Sequence, residues 1–304
     1  MWERGSGGEG RLWHNSGVME EELLETAIAA ARAGAAVLTR YFRRDGLQVS
    51  RKGQNDFVTE ADKESEAAVL AEIRQRFPDH RILAEEGSAA DLNQGSETEW
   101  LVDPLDGTTN FLQGLPVWCV SVACRRAGRI VAGVVLDPEG DNLFTALRGH
   151  GATWNGQPMS TTRHPGLDGA FLATGYPFRA LSTLDVYLDI FRDVFRRSKA
   201  IRRCGAAALD LAYTAAGVYD GFFEFRLSPW DIGAGILLIE EAGGAVTDLD
   251  GGAGYFRGGN VVAGGRGVQR ELWGVVASHA READIDRLNP LGEPPAAASA
   301  AGPA

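Results

Sequence analysis

The chain reads as a mixed α and β protein, because three patterns coexist along it. Apolar residues stepping by three and four mark helices, short runs rich in Val, Ile, Leu and Phe mark strands, and Gly or Pro clusters separate the two. With 304 residues and 44% apolar content, the chain can bury a substantial core. One unit is expected over residues 19–288, in halves of about 19–165 and 166–288, flanked by disordered ends at 1–18 and 289–304. The first 18 residues are Gly-rich and polar without periodicity, and Met19 directly precedes a helix. They are therefore either a disordered extension or lie upstream of the native start. The tail is rich in Pro and Ala.

Leu24, Ile28, Ala31, Ala35, Leu38 and Phe42 form the apolar stripe of a helix over about residues 20–44. Thr59 caps a second helix, with Asp62 completing a capping box and Val69, Ile73 and Phe77 facing inward until Pro78 stops it. Residues 81–87 read as a short buried strand ending in Glu85 and Glu86. After a polar loop, Glu99-Trp100-Leu101-Val102 runs as a strand into Asp103-Pro104-Leu105-Asp106-Gly107-Thr108-Thr109-Asn110-Phe111. Consecutive strands follow between Trp118 and Ala146, then a turn-rich edge over 149–158. The second half carries strands near 171–174, 200–203 and 221–225, and helices at 184–197, 206–216 and 232–242, the last ended by Gly243-Gly244. Residues 251–265 read as turns around short strands.

The chemistry concentrates at the end of the strand before Asp103. Asp103 and Asp106 stand three apart across a proline turn, so both carboxylates and the Leu105 carbonyl can converge on one point. Such oxygens suit Mg2+, which takes ligands at roughly 2.0–2.1 Å and keeps several positions for water and phosphate oxygens. Gly107 permits close backbone approach, and Thr108 and Thr109 can open a helix whose free amides attract an anion. A plain Asp-Gly turn fits the same residues. Taken singly, Asp231 in Pro229-Trp230-Asp231 reads as a helix N-cap, Glu86 as a solvated acid, and Asp62 as part of a cap.

Taken together, Asp103 to Phe111, the Glu85-Glu86 pair, Trp230-Asp231 through Gly244, and the block Asp56-Phe57-Val58-Thr59-Glu60-Ala61-Asp62 resemble the signature segments of the inositol monophosphatase family. The resemblance spans roughly residues 20–280 and implies a layered α/β/α/β/α sandwich. It implies two or three Mg2+ ions held by Glu85, Asp103, the Leu105 carbonyl, Asp106 and Asp231, with Asp103 bridging two of them. Glu85 and Thr108 would orient and activate the attacking water, with Asp62 behind them, and the amides of Gly107 and Thr108 would hold the phosphate. Substrate contacts would come from Glu224, Asp231 and the segment Gly205-Ala206-Ala207. Lithium sensitivity and a homodimer are likewise implied.

Thr109-Asn110-Phe111 resembles the inositol branch, whereas nucleotide 3′-phosphatase relatives usually carry Lys-Glu-Phe there. Inositol 1-phosphate is therefore the expected substrate, with histidinol phosphate, fructose 1,6-bisphosphate or a 3′-phosphonucleotide as alternatives. An acid at Glu224 suits a polyol, because a carboxylate accepts from two hydroxyls at once; its bland reading is a surface acid at a strand end. Ala206 stands where relatives often place Ser or Thr, so one hydroxyl is missing. Arg202 and Arg203 read best as a solvated basic pair. A non-catalytic regulatory member is the rival class, disfavoured because Glu85, Asp103, Asp106, Thr108 and Asp231 are all retained.

Composition narrows the partners. A formal charge of −11 argues against non-specific binding to nucleic acid or an anionic membrane, leaving a small phosphate monoester as the expected ligand. No apolar run approaches the ~20 residues of a membrane helix, and residues 1–18 lack a signal-peptide core, so a soluble cytoplasmic protein is expected. Cys119, Cys124 and Cys204 show no zinc spacing and no even disulfide framework. There is no Gly-x-x-x-x-Gly-Lys loop and no His-Glu-x-x-His helix.

Overall fold

The computed structural model describes residues 9–44, 46–53, 56–87, 93–177 and 181–282. Helix α1 (Glu9–Tyr41) is followed by strands β1 (Val49–Gly53) and β2 (Asp56–Thr59), helix α2 (Glu60–Arg76), and strands β3 (Arg81–Ala84) and β4 (Thr98–Asp106). A short helix α3 (Thr108–Leu112) leads into β5 (Cys119–Arg126), β6 (Arg129–Asp137), β7 (Asn142–Leu147), β8 (Ala152–Trp154) and β9 (Gln157–Pro158). The second half runs β10 (Phe171–Thr174), α4 (Leu184–Arg197), β11 (Ala200–Arg202), α5 (Ala207–Ala215), β12 (Gly221–Glu224) and α6 (Pro229–Glu241). It closes with β13 (Ala245–Thr247), α7 (Tyr255–Gly258), β14 (Val261–Gly264) and α8 (Arg266–Glu282).

Five layers result. A seven-stranded sheet in the order β3-β4-β5-β6-β7-β8-β9 carries α1 and α2 on one face and α5 and α6 on the other. Beyond α5 and α6 lies a five-stranded sheet, β11-β10-β12-β14-β13, whose outer face is covered by α4 and α8. Three apolar cores fill the four junctions: Leu23, Leu38 and Ile73 against Trp100 and Val134, then Leu101, Ile236 and Phe222 on both sides of α5 and α6, then Phe223 and Val262 with Ile190 and Leu272. This is the layered α+β sandwich that the family resemblance implies.

Helix α6 is the middle of that stack, which explains its composition. Residues 231–239 are all buried, so the helix is apolar nearly all round rather than striped. A Cβ at Gly235 would come within 2.5 Å of Leu211 on α5, and one at Gly133 on β6 within 3.0 Å of Ala234. Glycine in a helix interior costs about 1 kcal/mol against Ala, and here close layer packing offsets it.

Several boundaries differ from expectation. Helix α1 begins at Glu9 rather than near residue 20, because residues 9–19 hold no proline and extending an existing helix needs no new nucleus. The expected disorder over residues 1–18 is thus replaced by helix from Glu9 onward, while 1–8 and the 289–304 tail lie outside the described residues. Between residues 251 and 265 the chain forms the helical turn α7 as well as β14. Among the described residues, no helix is long and apolar enough to cross a membrane.

Candidate active site

The strand β4 ends in a bulge. Asp103 pairs with Ser121 and Asp106 with Cys119, so β4 fits one more residue between the pairs than β5 does. Pro104 has no N–H to give the ladder, and the extra residue re-aims the strand end. Asp103 Oδ1 accepts from the Leu105 N–H at 3.0 Å. Gly107 then turns at φ 93°, and a Cβ there would fall 2.8 Å from the Val117 carbonyl, so only glycine fits.

The other acids arrive from elsewhere. β3 runs parallel to β4 with Ala84 opposite Val102, and the Glu85 N–H continues that pairing to the Val102 carbonyl at 3.1 Å, bringing Glu85 alongside Asp103. Asp231 comes from the second half, on the first turn of α6. It is not the N-cap that its position in sequence suggests: Ser228 is, and Asp231 Oδ2 accepts the Ser228 N–H at 2.7 Å. The competing single-residue reading fails because Pro229 takes the first helical position, which puts the cap at Ser228, three residues before Asp231. Glu86 stays outside the site, its N–H bonded to Glu66 Oε2 at 2.8 Å.

Asp106 joins the halves directly. Its Oδ2 accepts the Ala208 N–H at 2.7 Å and lies 3.6 Å from Cys119 Sγ. Ala206, the N-cap of α5, has no side chain able to cap, so a carboxylate from the opposite sheet serves the helix instead. Burial pushes the Asp103 carboxyl well up, with Glu85, Asp106 and Asp231 adding like charge. Burial and Asp231 push Asp106 up to about 7, against the α5 amides. Such mutual repulsion among buried oxygens is relieved by a bound cation, and the all-oxygen donor set suits a hard one. Among the described residues no three His, Cys, Asp or Glu side chains close on one point. Mg2+ needs no such cage, since it usually takes one or two carboxylates and fills its shell with water and phosphate oxygens.

Asp62 does two things at once. Its Oδ2 accepts from the Thr59 N–H at 2.9 Å and from Thr59 Oγ1 at 2.5 Å, completing the α2 capping box. Its Oδ1 lies 3.3 Å from Thr108 Oγ1, which is also 3.1 Å from the Leu105 carbonyl. Asp62 does not line the cavity; it backs Thr108, which does.

All remaining expected site residues face one cavity of about 380 Å³: Glu85, Asp103, Leu105, Asp106, Gly107, Thr108, Gly205, Ala206, Ala207, Glu224 and Asp231. Glu224 ends β12 and is only 7% exposed, which removes its reading as a surface acid. Residues not assigned to the site from sequence also line it, among them Gly175, Tyr176, Arg203 and Leu227. The solvated-pair reading holds for neither arginine in full. Arg202 lies over Phe171 and Arg203 over Tyr176, each 4.9 Å from the ring centroid, and Arg203 faces the cavity. A Gly-Tyr pair after a strand carries no distinctive signal in sequence. Asn110 lines the cavity too, its Nδ2 donating to the Val117 carbonyl at 2.8 Å and the Cys204 carbonyl at 2.9 Å.

The sequence profile of the inositol monophosphatase family matches residues 19–284. The chain belongs to that family. Among its relatives is the protein of Salmonella typhimurium strain LT2 named Nus factor SuhB, 46% identical over 251 residues, or 82% of this chain and 94% of the relative. The extragenic suppressor protein suhB from Bartonella henselae superposes with a TM-score of 0.80 at 41% identity, over 84% of this chain and 98% of that one. Inositol monophosphatase from Anabaena (Nostoc) sp. PCC 7120 does so at 0.76 and 38%, over 85% and 96%. An IMPase/NADP phosphatase complexed with Mg2+ and phosphate gives 0.66 and 26%, over 75% and 85%. The layered sandwich of this inositol monophosphatase family member is thus shared with solved relatives along nearly its whole described length.

Proposed function

We propose that the chain is a Mg2+-dependent phosphatase of small phosphate monoesters, with inositol 1-phosphate as its best substrate. The observation that carries this is the convergence of Glu85, Asp103, Asp106 and Asp231, from both halves of the chain, beside Gly107 and Thr108 on one cavity. Those carboxylates and the Leu105 carbonyl would hold Mg2+, which when bound would neutralise charge on the phosphate and on the departing oxygen. Thr108, backed by Asp62, and Glu85 hold the attacking water in line with phosphorus. The Gly107 and Thr108 amides take phosphate oxygens, so that positioning supplies much of the rate. Glu224, which lines the same cavity, accepts hydrogen bonds from the hydroxyls of the leaving polyol, and Gly205, Ala206 and Ala207 line the cavity with it. The water oxygen bonds to phosphorus as the P–O bond to the alcohol breaks, and a proton released by water ends on the departing oxygen, so that phosphate and the neutral alcohol leave. No covalent intermediate on the protein is needed.

The name Nus factor, carried by a relative 46% identical, supports a second reading: a binding role, alone or beside catalysis. A net charge of −11 disfavours non-specific contact with nucleic acid but bears on neither a protein partner nor a specific contact.

The test is phosphate release with Mg2+ from inositol 1-phosphate, histidinol phosphate, fructose 1,6-bisphosphate and 3′-phosphoadenosine 5′-phosphate. A preference for inositol 1-phosphate of about tenfold or more is expected, with Ca2+ supporting little turnover because it tolerates a looser shell. Lithium should inhibit, and the chain should run as a homodimer in light scattering. Preference for another ester keeps the mechanism and changes the substrate. Silence on all four favours the binding role.

A further inference from the structure

Cys119 opens β5 and is fully buried in the apolar core around α5 and α6. As packing alone it is an ordinary small residue. The strand register gives it a particular neighbour, because Cys119 stands directly opposite Asp106 across β4 and β5. Residues paired across antiparallel strands put their side chains on one face, so whatever occupies position 119 lies beside the Asp106 carboxylate. The thiol is aimed there: Cys119 Sγ donates to Asp106 Oδ2 across 3.6 Å.

The same oxygen accepts the Ala208 N–H at 2.7 Å, and the Ala207 amide adds a backbone hydrogen bond to the carboxylate. Both amides belong to the first turn of α5, whereas the thiol comes from the seven-stranded sheet. The terminal torsion of an Asp side chain is broad, so donors from two different elements fix a carboxylate that one alone would leave free to swing. The neighbouring acids are held in a comparable way, Asp103 Oδ1 by the Leu105 N–H and Asp231 Oδ2 by the Ser228 N–H. At Asp106 a side chain joins the backbone in that task. A thiol suits it, since it is a weak donor that orients the carboxylate and leaves its charge for a cation.

We infer that Cys119 is a positioning residue for the Mg2+ site: its thiol orients the Asp106 carboxylate and, through it, the bound cation. This rests on the phosphatase reading above, in which Asp106 holds Mg2+. Hydrogen-bond partners of metal ligands are commonly worth roughly 10–100-fold in metal affinity, and a weak S–H donor less, about fivefold.

The experiment measures the Mg2+ dissociation constant of wild type, Cys119→Ala and Cys119→Ser, fitted from the rise of melting temperature with Mg2+ concentration after chelator treatment. Both variants lose the sulfur's volume and should melt lower than wild type without metal. Only Cys119→Ala loses the donor, so its dissociation constant should rise about fivefold, while Cys119→Ser stays within about twofold of wild type. In turnover of inositol 1-phosphate, Cys119→Ala should need about fivefold more Mg2+ for half-maximal rate, with kcat at saturating Mg2+ within about twofold. Cys119→Val supplies a donor-free chain if the Ala variant does not fold. An unchanged dissociation constant in the donor-free variant, or a Ser variant as weak as it, overturns the inference and leaves Cys119 as packing. A wild type whose melting does not respond to Mg2+ instead overturns the metal-dependent reading, and the inference falls with it.

Discussion

The carboxylate end of the cavity draws Asp103, Asp106, Gly107 and Thr108 from a single stretch of chain, whereas the leaving-group end draws Gly175, Tyr176, Arg203 and Glu224 from three separate segments. In the first, a proline bulge and a glycine turn bring the groups together through covalent geometry, and the neighbours only refine them. In the second, nothing local holds the groups together; β10, β12 and the β11–α5 connection must pack before they meet. On the proposed phosphatase function, the chemistry would be set by a turn that can change little, and the choice of leaving group by side chains that can be exchanged singly.

The sharpest way to break this contrast is Asp103→Asn. Turnover should fall below roughly a tenth of wild type because one of the carboxylate charges proposed to hold Mg2+ is lost, while circular dichroism shows an intact fold. Activity above that level would mean that the carboxylate end is not the reacting end.

The pH dependence of the metal-free protein probes the same end. Asp106 titrates at about 7 in the fold against an ordinary value near 3.8, so between these values the folded state binds the extra proton. Stability without Mg2+ should therefore rise as pH falls from about 7 toward 4, and Asp106→Asn should flatten that slope. Added Mg2+ should reverse it, since a bound cation favours the charged form. Thermal melts with chelator at pH 5 and pH 8 provide the comparison, and an equal slope in the variant would remove Asp106 as its source.

Gly175→Ala tests the other end. The new Cβ must displace the Glu224 carboxylate, so kcat/KM for inositol 1-phosphate should drop about 10- to 100-fold, with glycerol 2-phosphate little changed. Equal losses on both esters would show that the two ends are not separable.

Asn110→Ala cuts the tie between the ends. It leaves the Val117 and Cys204 carbonyls without their shared donor and should cost about 1–3 kcal/mol in urea unfolding. The smallest effect belongs to Ala206→Ser. An N-cap serine is normally worth about 0.5–2 kcal/mol, but Asp106 already accepts the Ala208 N–H, so less than about 0.5 kcal/mol is expected. A larger gain would mean that the cap across the sheets is weak.

Much of the carboxylate end was legible because its spacing is its geometry. Three residues across a proline turn leave Asp103 and Asp106 few ways to diverge, and the capping box at Thr59 and Asp62 was readable for the same local reason. Strands β5 to β7 and helices α4 to α6 followed from apolar patterning. The hairpin β1–β2 and strand β13 escaped, being short and, in the case of Val49–Gly53, mostly polar. Glu224 and Arg203 carried no decisive signal, since an acid and a base at element ends are ordinarily exposed.

The sequence by itself determined the kind of fold, many of its longer elements and the composition of the carboxylate end, because periodicity and turn chemistry act over a few residues. Only the tertiary structure decided that Asp106 caps α5, that Asp231 answers Asp103 across the halves, and that the exposed Arg203 lies over Tyr176 at the edge of the same cavity as Glu224. Those outcomes depend on which buried groups share a low-dielectric space, and burial is a property of packed layers that no stretch of residues carries alone.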